Sequence, residues 1–119
     1  MADATPPGYH SVTPRMVVDD PVAVVSFLRT VFGAAGTAEP GRPAEVRIGD
    51  SLVMISETGA REAFPAFLYI YVEDVAPTFQ RALDAGAVAL EPPFDTPYGD
   101  RRAMVRDRFG NVYQIASRG

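Results

Sequence analysis

The chain lacks several features that would point to a particular chemistry. None of its 119 residues is cysteine, which excludes a disulfide scaffold, a thiolate metal site and a cysteine nucleophile, and which suits the reducing cytoplasm. Its one histidine, His10, does not support a Ser-His-Asp arrangement, and we expect it at the surface or at a dimer edge. There is no phosphate-cradling glycine motif, and no apolar run approaches the ~20 residues of a membrane helix. We therefore expect a cytoplasmic protein.

Basic residues are outnumbered by acidic ones. Eleven Lys and Arg stand against fifteen Asp and Glu, which gives a net charge of −4. A mildly acidic chain without a basic stripe is a poor candidate for binding nucleic acid or an anionic membrane. With 47% hydrophobic and 22% charged residues, the composition is typical of a globular protein. We expect one domain over residues 1–119, with the Pro-rich residues 1–8 as a flexible tail.

Apolar periodicity and turn residues divide the chain into two halves of similar order, near residues 10–57 and 66–117. In the first half, Asp19-Asp20-Pro21 should end a strand and open a helix, because an acidic N-cap and a proline at the first helical position favour that start. Gly33 stands where this helix should end, and Gly86 does the same in the second half. The predicted strands cover residues 12–18, 44–48, 52–56, 67–72, 88–90, 101–107 and 112–116.

The two halves repeat one pattern. Val18-Asp19-Asp20 aligns with Val72-Glu73-Asp74, and Gly33-Ala34 aligns with Gly86-Ala87. Each half therefore predicts a βαβββ module, and a repeat of this kind decides the whole fold. We expect an α+β fold in which two tandem modules form a curved mixed sheet around a cleft, with the helices on its outer face.

Strand parity indicates which side chains line that cleft, because alternate residues of a strand point to opposite faces. In the fourth predicted strand, Leu68, Ile70 and Val72 suit packing under a helix. The opposite set includes Tyr69 and Tyr71, whose hydroxyls would need partners in such a core. The same reasoning along the chain gives the expected ligand-binding residues, which are Thr13, Arg15, Glu45, Arg47, Met54, Phe67, Tyr69, Tyr71, Arg102, Met104 and Gln114.

Four segments follow one another in an order that is typical of one protein family. They are SVTPRMVVDDPVAVVSFLRTVFGA, AEVRIGDSLVMIS, YVEDVAPTFQRALDAGA and YGDRRAMVRDRFGNVYQIAS. In this order the chain resembles the glyoxalase/bleomycin-resistance/extradiol-dioxygenase superfamily, also called vicinal oxygen chelate proteins, over residues 10–117. The resemblance implies the two-module fold. It also implies a homodimer, in which a partner or exchanged halves complete the curved sheet around the cleft.

The resemblance also implies where a metal would be held. Enzymes of the family bind a divalent metal with four side chains, usually His, Glu or Gln, and these positions fall on Thr13, Met54, Phe67 and Gln114. Only Gln114 is of a type that these sites use, because Phe67 cannot ligate and a thioether is a poor partner for hard cations. We therefore expect the curved sheet and its cleft without a bound metal, and we expect no cofactor.

The favoured interpretation is a metal-independent protein that binds or sequesters a small molecule, similar to the bleomycin-resistance members, with a role in antibiotic resistance. The aromatic residues of the fourth strand would stack a planar aromatic group. Glu45, with Asp95 or Asp100 from the loop, would contact a cationic group. The arginines on the same face would instead favour an anionic group, so the charge of the ligand stays open.

Two alternatives also stay open. One is a lyase, isomerase or dioxygenase that uses other metal ligands, or acid/base chemistry at Glu45 or a tyrosine. The other is an interaction module that acts only through dimerisation. The fold does not decide between them, because function depends on the site that a fold carries. We expect a small-molecule ligand and a second copy of the chain as partners, and neither nucleic acid nor membrane.

Overall fold

The computed structural model describes residues 5–119, with two helices and seven strands among them. The first helix begins where the sequence predicts, because Asp20 Oδ1 accepts a hydrogen bond from Ala23 N at 3.1 Å and Pro21 lies in the first turn. It ends at Gly33, whose φ of 66° is a left-handed conformation that glycine adopts without a steric penalty. In chain order the elements are β1 (Arg15–Val18), α1 (Pro21–Phe32), β2 (Ala44–Ile48), β3 (Ser51–Glu57), β4 (Phe67–Tyr71), α2 (Val75–Asp84), β5 (Val88–Asp95), β6 (Asp100–Arg106) and β7 (Val112–Arg118).

Each helix belongs to a module with its own sheet. The strand order is β1-β3-β2 in the first sheet and β4-β7-β6-β5 in the second. In both sheets the first strand of the module pairs in parallel with its last strand, and the other pairs are antiparallel. The predicted α+β fold of two tandem modules is thereby confirmed. Within residues 5–119, hydrogen bonds join the strands into two separate mixed sheets.

The first module is one strand shorter than the second. Between α1 and β2 the chain forms only an isolated bridge, in which Ala35 and Arg47 exchange backbone hydrogen bonds of 2.9 and 2.8 Å. This bridge lies beside β2, as β5 lies beside β6 in the second module. Pro40 and Pro43 follow in the same segment, and neither can donate to a strand ladder.

The hydrophobic core lies behind both sheets. Tyr113 of β7 is fully buried, and its ring stacks on Phe27 of α1 with the centroids 5.4 Å apart. Helix α1 therefore contacts the back of the second sheet as well as its own. Leu68 and Ile70 of β4 also pack against this core, as strand parity predicts.

A buried carboxylate holds the turn between β6 and β7. Asp107 Oδ1 accepts hydrogen bonds from Phe109 N and Asn111 N at 2.9 and 3.0 Å. Asp107 Oδ2 accepts from Asn111 Nδ2 at 2.9 Å and from Tyr113 Oη at 2.8 Å. Burial, followed by the charge of Asp107, raises the pKa of Tyr113, so its hydroxyl stays a donor. These bonds fix the hairpin that places β6 beside β7.

The start of the first strand differs from the sequence prediction. β1 begins at Arg15 rather than at Val12, and Val12 is 81% exposed instead of packing behind the sheet. Pro14 lies directly before the strand and has no N–H with which to extend the ladder. Thr13 therefore precedes the sheet.

The fifth strand is longer than predicted. It runs from Val88 to Asp95, beyond the expected end at Leu90, although it contains Pro92 and Pro93. β5 is an edge strand of the second sheet, and an edge strand accommodates prolines because one of its sides needs no partner. Its register against β6 shifts at two places, so alternation of apolar residues is lost there and the sequence pattern is that of a loop.

The molecule is flat and rather open. Its radius of gyration is 14.7 Å, compared with about 13.5 Å for a compact domain of this length. Its principal extents are 39 × 35 × 21 Å. Neither helix of the described part, residues 5–119, has the length and apolar character needed to cross a membrane.

Candidate functional site

The side of the second sheet that faces away from the core carries aromatic and charged side chains in rows, and we call it the second front face. Read across β4, β7, β6 and β5, its rows are Phe67–Val112–Arg106–Val88, Tyr69–Gln114–Met104–Glu91 and Tyr71–Ala116–Arg102–Phe94. Neighbouring strands lie about 4.8 Å apart, so a row spans roughly 14 Å. Phe67, Tyr69 and Tyr71 are 68%, 37% and 56% exposed. Their rings are therefore available to a ligand.

A buried carboxylate orients two of these rings. The Asp100 side chain is 0% exposed, and its Oδ2 accepts hydrogen bonds from Tyr69 Oη at 2.7 Å and from Tyr71 Oη at 2.8 Å. Arg118 Nε lies 3.1 Å from Asp100 Oδ1. Thr96 Oγ1 accepts a hydrogen bond from Asp100 N and donates one to Asp100 O, both at 2.9 Å. Asp100 is thus fixed by backbone and side-chain contacts, and it fixes the two tyrosines in turn.

These contacts also determine the protonation of the three groups. Hydrogen bonds from the two phenols, that of Tyr69 first, hold the pKa of Asp100 below its ordinary value, although burial opposes the shift. Burial, followed by hydrogen bonds with Tyr98 and Asp100, raises the pKa of Tyr69. The hydrogen bond to Asp100 likewise raises the pKa of Tyr71. Both tyrosines are therefore neutral donors at neutral pH, and neither is suited to act as a base.

Tyr98 extends this network to Arg102. Arg102 Nη1 donates to Tyr98 Oη at 2.8 Å, and Tyr98 Oη lies 3.3 Å from Tyr69 Oη. Arg102 Nη2 lies 3.4 Å from Glu91 Oε1. The guanidinium carbon of Arg102 is 5.0 Å from the centroid of the Phe94 ring, which is the geometry of a cation–π contact. Arg102 is therefore held in the wall of the site by three neighbours.

The corresponding side of the first sheet, which we call the first front face, is more polar. Arg15, Met54 and Glu45 form a row across β1, β3 and β2, and Arg47 and Leu52 pair in another row. Arg15 and Glu45 are exposed, and Met54 is partly buried. This face carries the charged side chains of Arg15, Glu45 and Arg47.

The N-terminal segment lies against the first front face. A Cβ atom on Gly8 would stand 3.1 Å from Nη2 of Arg47. The hydroxyl of Tyr9 is buried and has no hydrogen-bond partner of good geometry among the described residues. The neighbouring carboxylate of Glu45 raises the pKa of Tyr9, with a smaller effect from burial. Of the expected tail, residues 1–8, residues 1–4 lie outside the described part of the chain, and Gly8 lies beside Arg47 of the sheet. His10 is exposed.

The residues expected to line one cleft lie on two faces. The second front face holds Phe67, Tyr69, Tyr71, Arg102, Met104 and Gln114, and the first front face holds Arg15, Glu45, Arg47 and Met54. Thr13 belongs to no strand. Among residues 5–119, no side-chain hydrogen bond or ion pair joins the two groups.

Sequence reasoning missed the part of the site that β5 and the following turn supply. Glu91, Phe94 and Tyr98 fall in the segment read as a Pro-rich loop. Asp100 is one of the two loop residues, with Asp95, that were expected to contact a cationic ligand, and its carboxylate is buried and accepts hydrogen bonds from Tyr69 and Tyr71. Two tyrosines on one face of a strand indicate that their hydroxyls need partners where they are shielded from water, but this signal does not identify the acceptor. Asp95 pairs instead with Arg101 at 3.1 Å.

The metal-ligand positions that the resemblance implies do not form a suitable site. Met54 pairs across the sheet with Arg15, and Gln114 pairs with Tyr69. The donors near these positions are a thioether, a guanidinium, an amide and a protonated phenol, which do not suit a hard divalent cation. Phe67 has no ligating atom.

Comparisons with known proteins agree with the two-module fold. A family model described as Glyoxalase/Bleomycin resistance protein/Dioxygenase superfamily matches residues 9–115. Uncharacterized proteins of Mycobacterium bovis and Mycobacterium tuberculosis are each 29% identical to the chain over 88% of its length, and the matches cover 81% and 72% of their own lengths. TioX from Micromonospora sp. ML1 has a similar structure, with a TM-score of 0.74, 28% identity, and coverage of 91% of this chain and 95% of that one. A glyoxalase/bleomycin resistance protein/dioxygenase family enzyme from Burkholderia phytofirmans PsJN has a TM-score of 0.76 over 88% of this chain and 95% of that one, and at 21% identity it shows the fold alone.

Proposed function

Because the chain belongs to the glyoxalase/bleomycin resistance protein/dioxygenase superfamily and its residues do not suit the family metal, we propose that it binds a small planar molecule without a metal ion and so sequesters it. The observation that carries this proposal is the exposed ring set of Phe67, Tyr69 and Tyr71 on the second front face. Aromatic surfaces with a few fixed polar groups are typical of small-molecule sites.

The ring set is prepared for binding before a ligand arrives. Tyr69 and Tyr71 are held by Asp100, so stacking a planar group on them costs little additional side-chain entropy. Gln114 and Met104 lie beside Tyr69 in the same row and are partly buried. The amide of Gln114 provides a donor and an acceptor, and the thioether of Met104 adapts to an apolar edge.

The same arrangement gives less support to acid/base catalysis. A base must be deprotonated and must reach its substrate. Tyr69 and Tyr71 have raised pKa values. Asp100 is ionised but buried behind them. Binding therefore uses the groups of the second front face in the arrangement that the structure gives. Acid/base catalysis would instead require Asp100 to lose its hydrogen bonds with Tyr69 and Tyr71.

We also propose that the chain forms a homodimer in which the partner covers the second front face. This face exposes the apolar side chains of Phe67, Val88 and Phe94 by 36–68%, and exposed large apolar residues on one face are typical of an interaction site. The flat shape of the chain supports the same proposal. In the proposed twofold dimer the first front face of one protomer opposes the second front face of the other, so that the expected cleft residues of the two faces meet in one cleft. A role in antibiotic resistance remains part of this proposal.

Thermal denaturation with planar aromatic compounds tests the binding function. At a free concentration about a hundredfold above its dissociation constant, a ligand should stabilise the fold by ~2.7 kcal/mol, which raises Tm by several degrees. Tyr69→Ala should weaken binding by ~1–3 kcal/mol. Ile70→Ala is the matched control, because this neighbour packs against the core and should lower Tm without changing the dissociation constant. Equal loss of affinity in both variants would contradict the proposal.

Elemental analysis after dialysis tests metal independence. We expect no stoichiometric divalent metal, and we expect ligand-induced stabilisation to survive a chelator. One equivalent of zinc, nickel, iron or manganese that is lost in Gln114→Ala would overturn this part of the proposal.

A further inference from the structure

The charged groups of the second front face are largely paired with each other. Asp100 lies 3.1 Å from Arg118, and Glu91 lies 3.4 Å from Arg102. Each pair is neutral as a whole and offers a ligand no net charge. These pairs therefore favour neither a cation nor an anion.

Arg106 differs from the other arginines of this face. It lies in the row Phe67–Val112–Arg106–Val88, whose other members are apolar. Its side chain is exposed, and no carboxylate of the described residues lies within 4.0 Å of it. The next residue, Asp107, does not neutralise it, because that carboxylate is buried on the core side and accepts four hydrogen bonds there.

From this geometry we infer that the ligand is a planar aromatic anion, such as a fused-ring carboxylate, whose acidic group pairs with Arg106. The inference rests on the proposed function and specifies its ligand. Arg106 and Phe67 belong to strands separated by one other strand, so their Cα atoms lie about 10 Å apart. A two-ring carboxylate stacked on the aromatic residues of β4 spans this distance toward β6. The planar fork of a guanidinium matches a carboxylate with two parallel hydrogen bonds.

Three probes with one ring system test this inference by isothermal titration calorimetry at low salt. They are 2-naphthoate, 2-naphthamide and 2-naphthylmethylammonium, which carry a negative, a neutral and a positive group. We expect naphthoate to bind roughly three- to fivefold more tightly than the amide, the upper range for an exposed ion pair. The ammonium compound should bind most weakly. The preference for naphthoate should shrink as salt screens the pair.

Two arginine variants identify the group responsible. Arg106→Gln should reduce the affinity for naphthoate to that of the amide and leave the affinity for the amide unchanged. Arg101→Gln is the matched control, because Arg101 lies on the same strand, points to the opposite face and pairs with Asp95. It should keep the full preference for the anion.

The outcomes separate this inference from the proposed function. Equal affinities for the three probes, or an anion preference that survives in Arg106→Gln, would overturn the inference and leave planar-ligand binding intact. Loss of 2-naphthamide binding in Arg106→Gln would also overturn the inference, because Arg106 would then maintain the structure of the second front face instead of pairing with an anionic group. Failure of all three probes to bind would overturn the proposed function itself.

Discussion

The hydrogen bonds to Asp100 allow the effect of single hydroxyl groups to be worked out. Tyr69→Phe and Tyr71→Phe each delete one donor to a buried carboxylate and keep the ring. A hydrogen bond to an ionised group contributes about 1.5–3 kcal/mol net. Tyr69 and Tyr71 are 37% and 56% exposed, which places their bonds near the lower end of that range. We expect each single variant to lose about 1–2 kcal/mol of unfolding free energy.

The double variant should lose more than the sum of the singles. With one phenol left, Asp100 Oδ2 still has a hydrogen-bond donor, and Arg118 Nε stays 3.1 Å from Oδ1. With neither, Oδ2 is a buried charge without a hydrogen bond, which is far more costly than a weakened network. The coupling between two residues that share a partner is commonly 0.5–3 kcal/mol. The loss in Tyr69→Phe/Tyr71→Phe should therefore exceed additivity by about 1 kcal/mol.

Urea and thermal unfolding followed by circular dichroism at pH 7 measure this cycle. For a chain of 119 residues, 1 kcal/mol corresponds to roughly 3–6 °C in Tm. Tyr98→Phe is the control, because its hydroxyl accepts from Arg102 but does not reach Asp100, and it should cost less than either single variant. Strict additivity, or single losses no larger than that of the control, would refute the account of Asp100 as the shared acceptor.

Three further outcomes are expected from the same structure. In an alkaline titration followed by ultraviolet absorbance, Tyr69 and Tyr71 should ionise above the ordinary phenol pKa of about 10, because the pKa values of both are raised. Their contribution to stability is present below pH of about 10 and is lost as pH rises through the raised folded values. The lowered pKa of Asp100 means that its contribution is present above the ordinary carboxyl pKa near 4 and is lost as pH falls through the lower folded value, so Asp100→Asn should flatten this acid limb. Light scattering should show a species of twice the 12.8 kDa chain mass, and Phe67→Asp should convert it to the monomer, whereas a 12.8 kDa species alone in the unsubstituted protein would contradict the dimer.

Local signals explain how much of the fold the sequence predicts. The limits of α1 follow from Asp20, Pro21 and Gly33, each of which acts within a few residues of its own position. The faces of β4 follow from alternation, because the edge strand keeps regular register with β7. Neither inference needs knowledge of distant parts of the chain, and both are confirmed.

The parts that the sequence could not predict depend on contacts between distant residues. The partners of Asp100 lie 31 and 29 positions earlier in the chain. Strand parity alone places the tyrosines on the second front face but gives no acceptor for them. The full length of β5 could not be predicted for a related reason. Its pairing with β6 continues through two register shifts, and these shifts break the alternation of apolar and polar residues.

The missing strand of the first module leads to a last prediction, on Gly36. Its φ is 137°, and a Cβ there would stand 2.6 Å from Glu45 O and 3.2 Å from Val46 Cα, both backbone atoms that cannot turn away. Gly41 also has a positive φ, 81°, but a Cβ there meets nothing within 4 Å. Gly41→Ala should therefore lose only the conformational cost, about 1–2 kcal/mol.

Gly36→Ala adds a backbone clash to that cost, so its loss of unfolding free energy should be larger by about 1–3 kcal/mol. Because the clash falls on β2, amide exchange should also accelerate at Glu45 and Val46, while the second sheet keeps its protection. Equal losses in the two alanine variants would mean that the segment does not pack against β2. The difference in unfolding free energy between Gly36→Ala and Gly41→Ala therefore tests whether the single bridge at Ala35 takes the place of a whole strand beside β2. It also tests whether this bridge keeps Glu45 on the first front face.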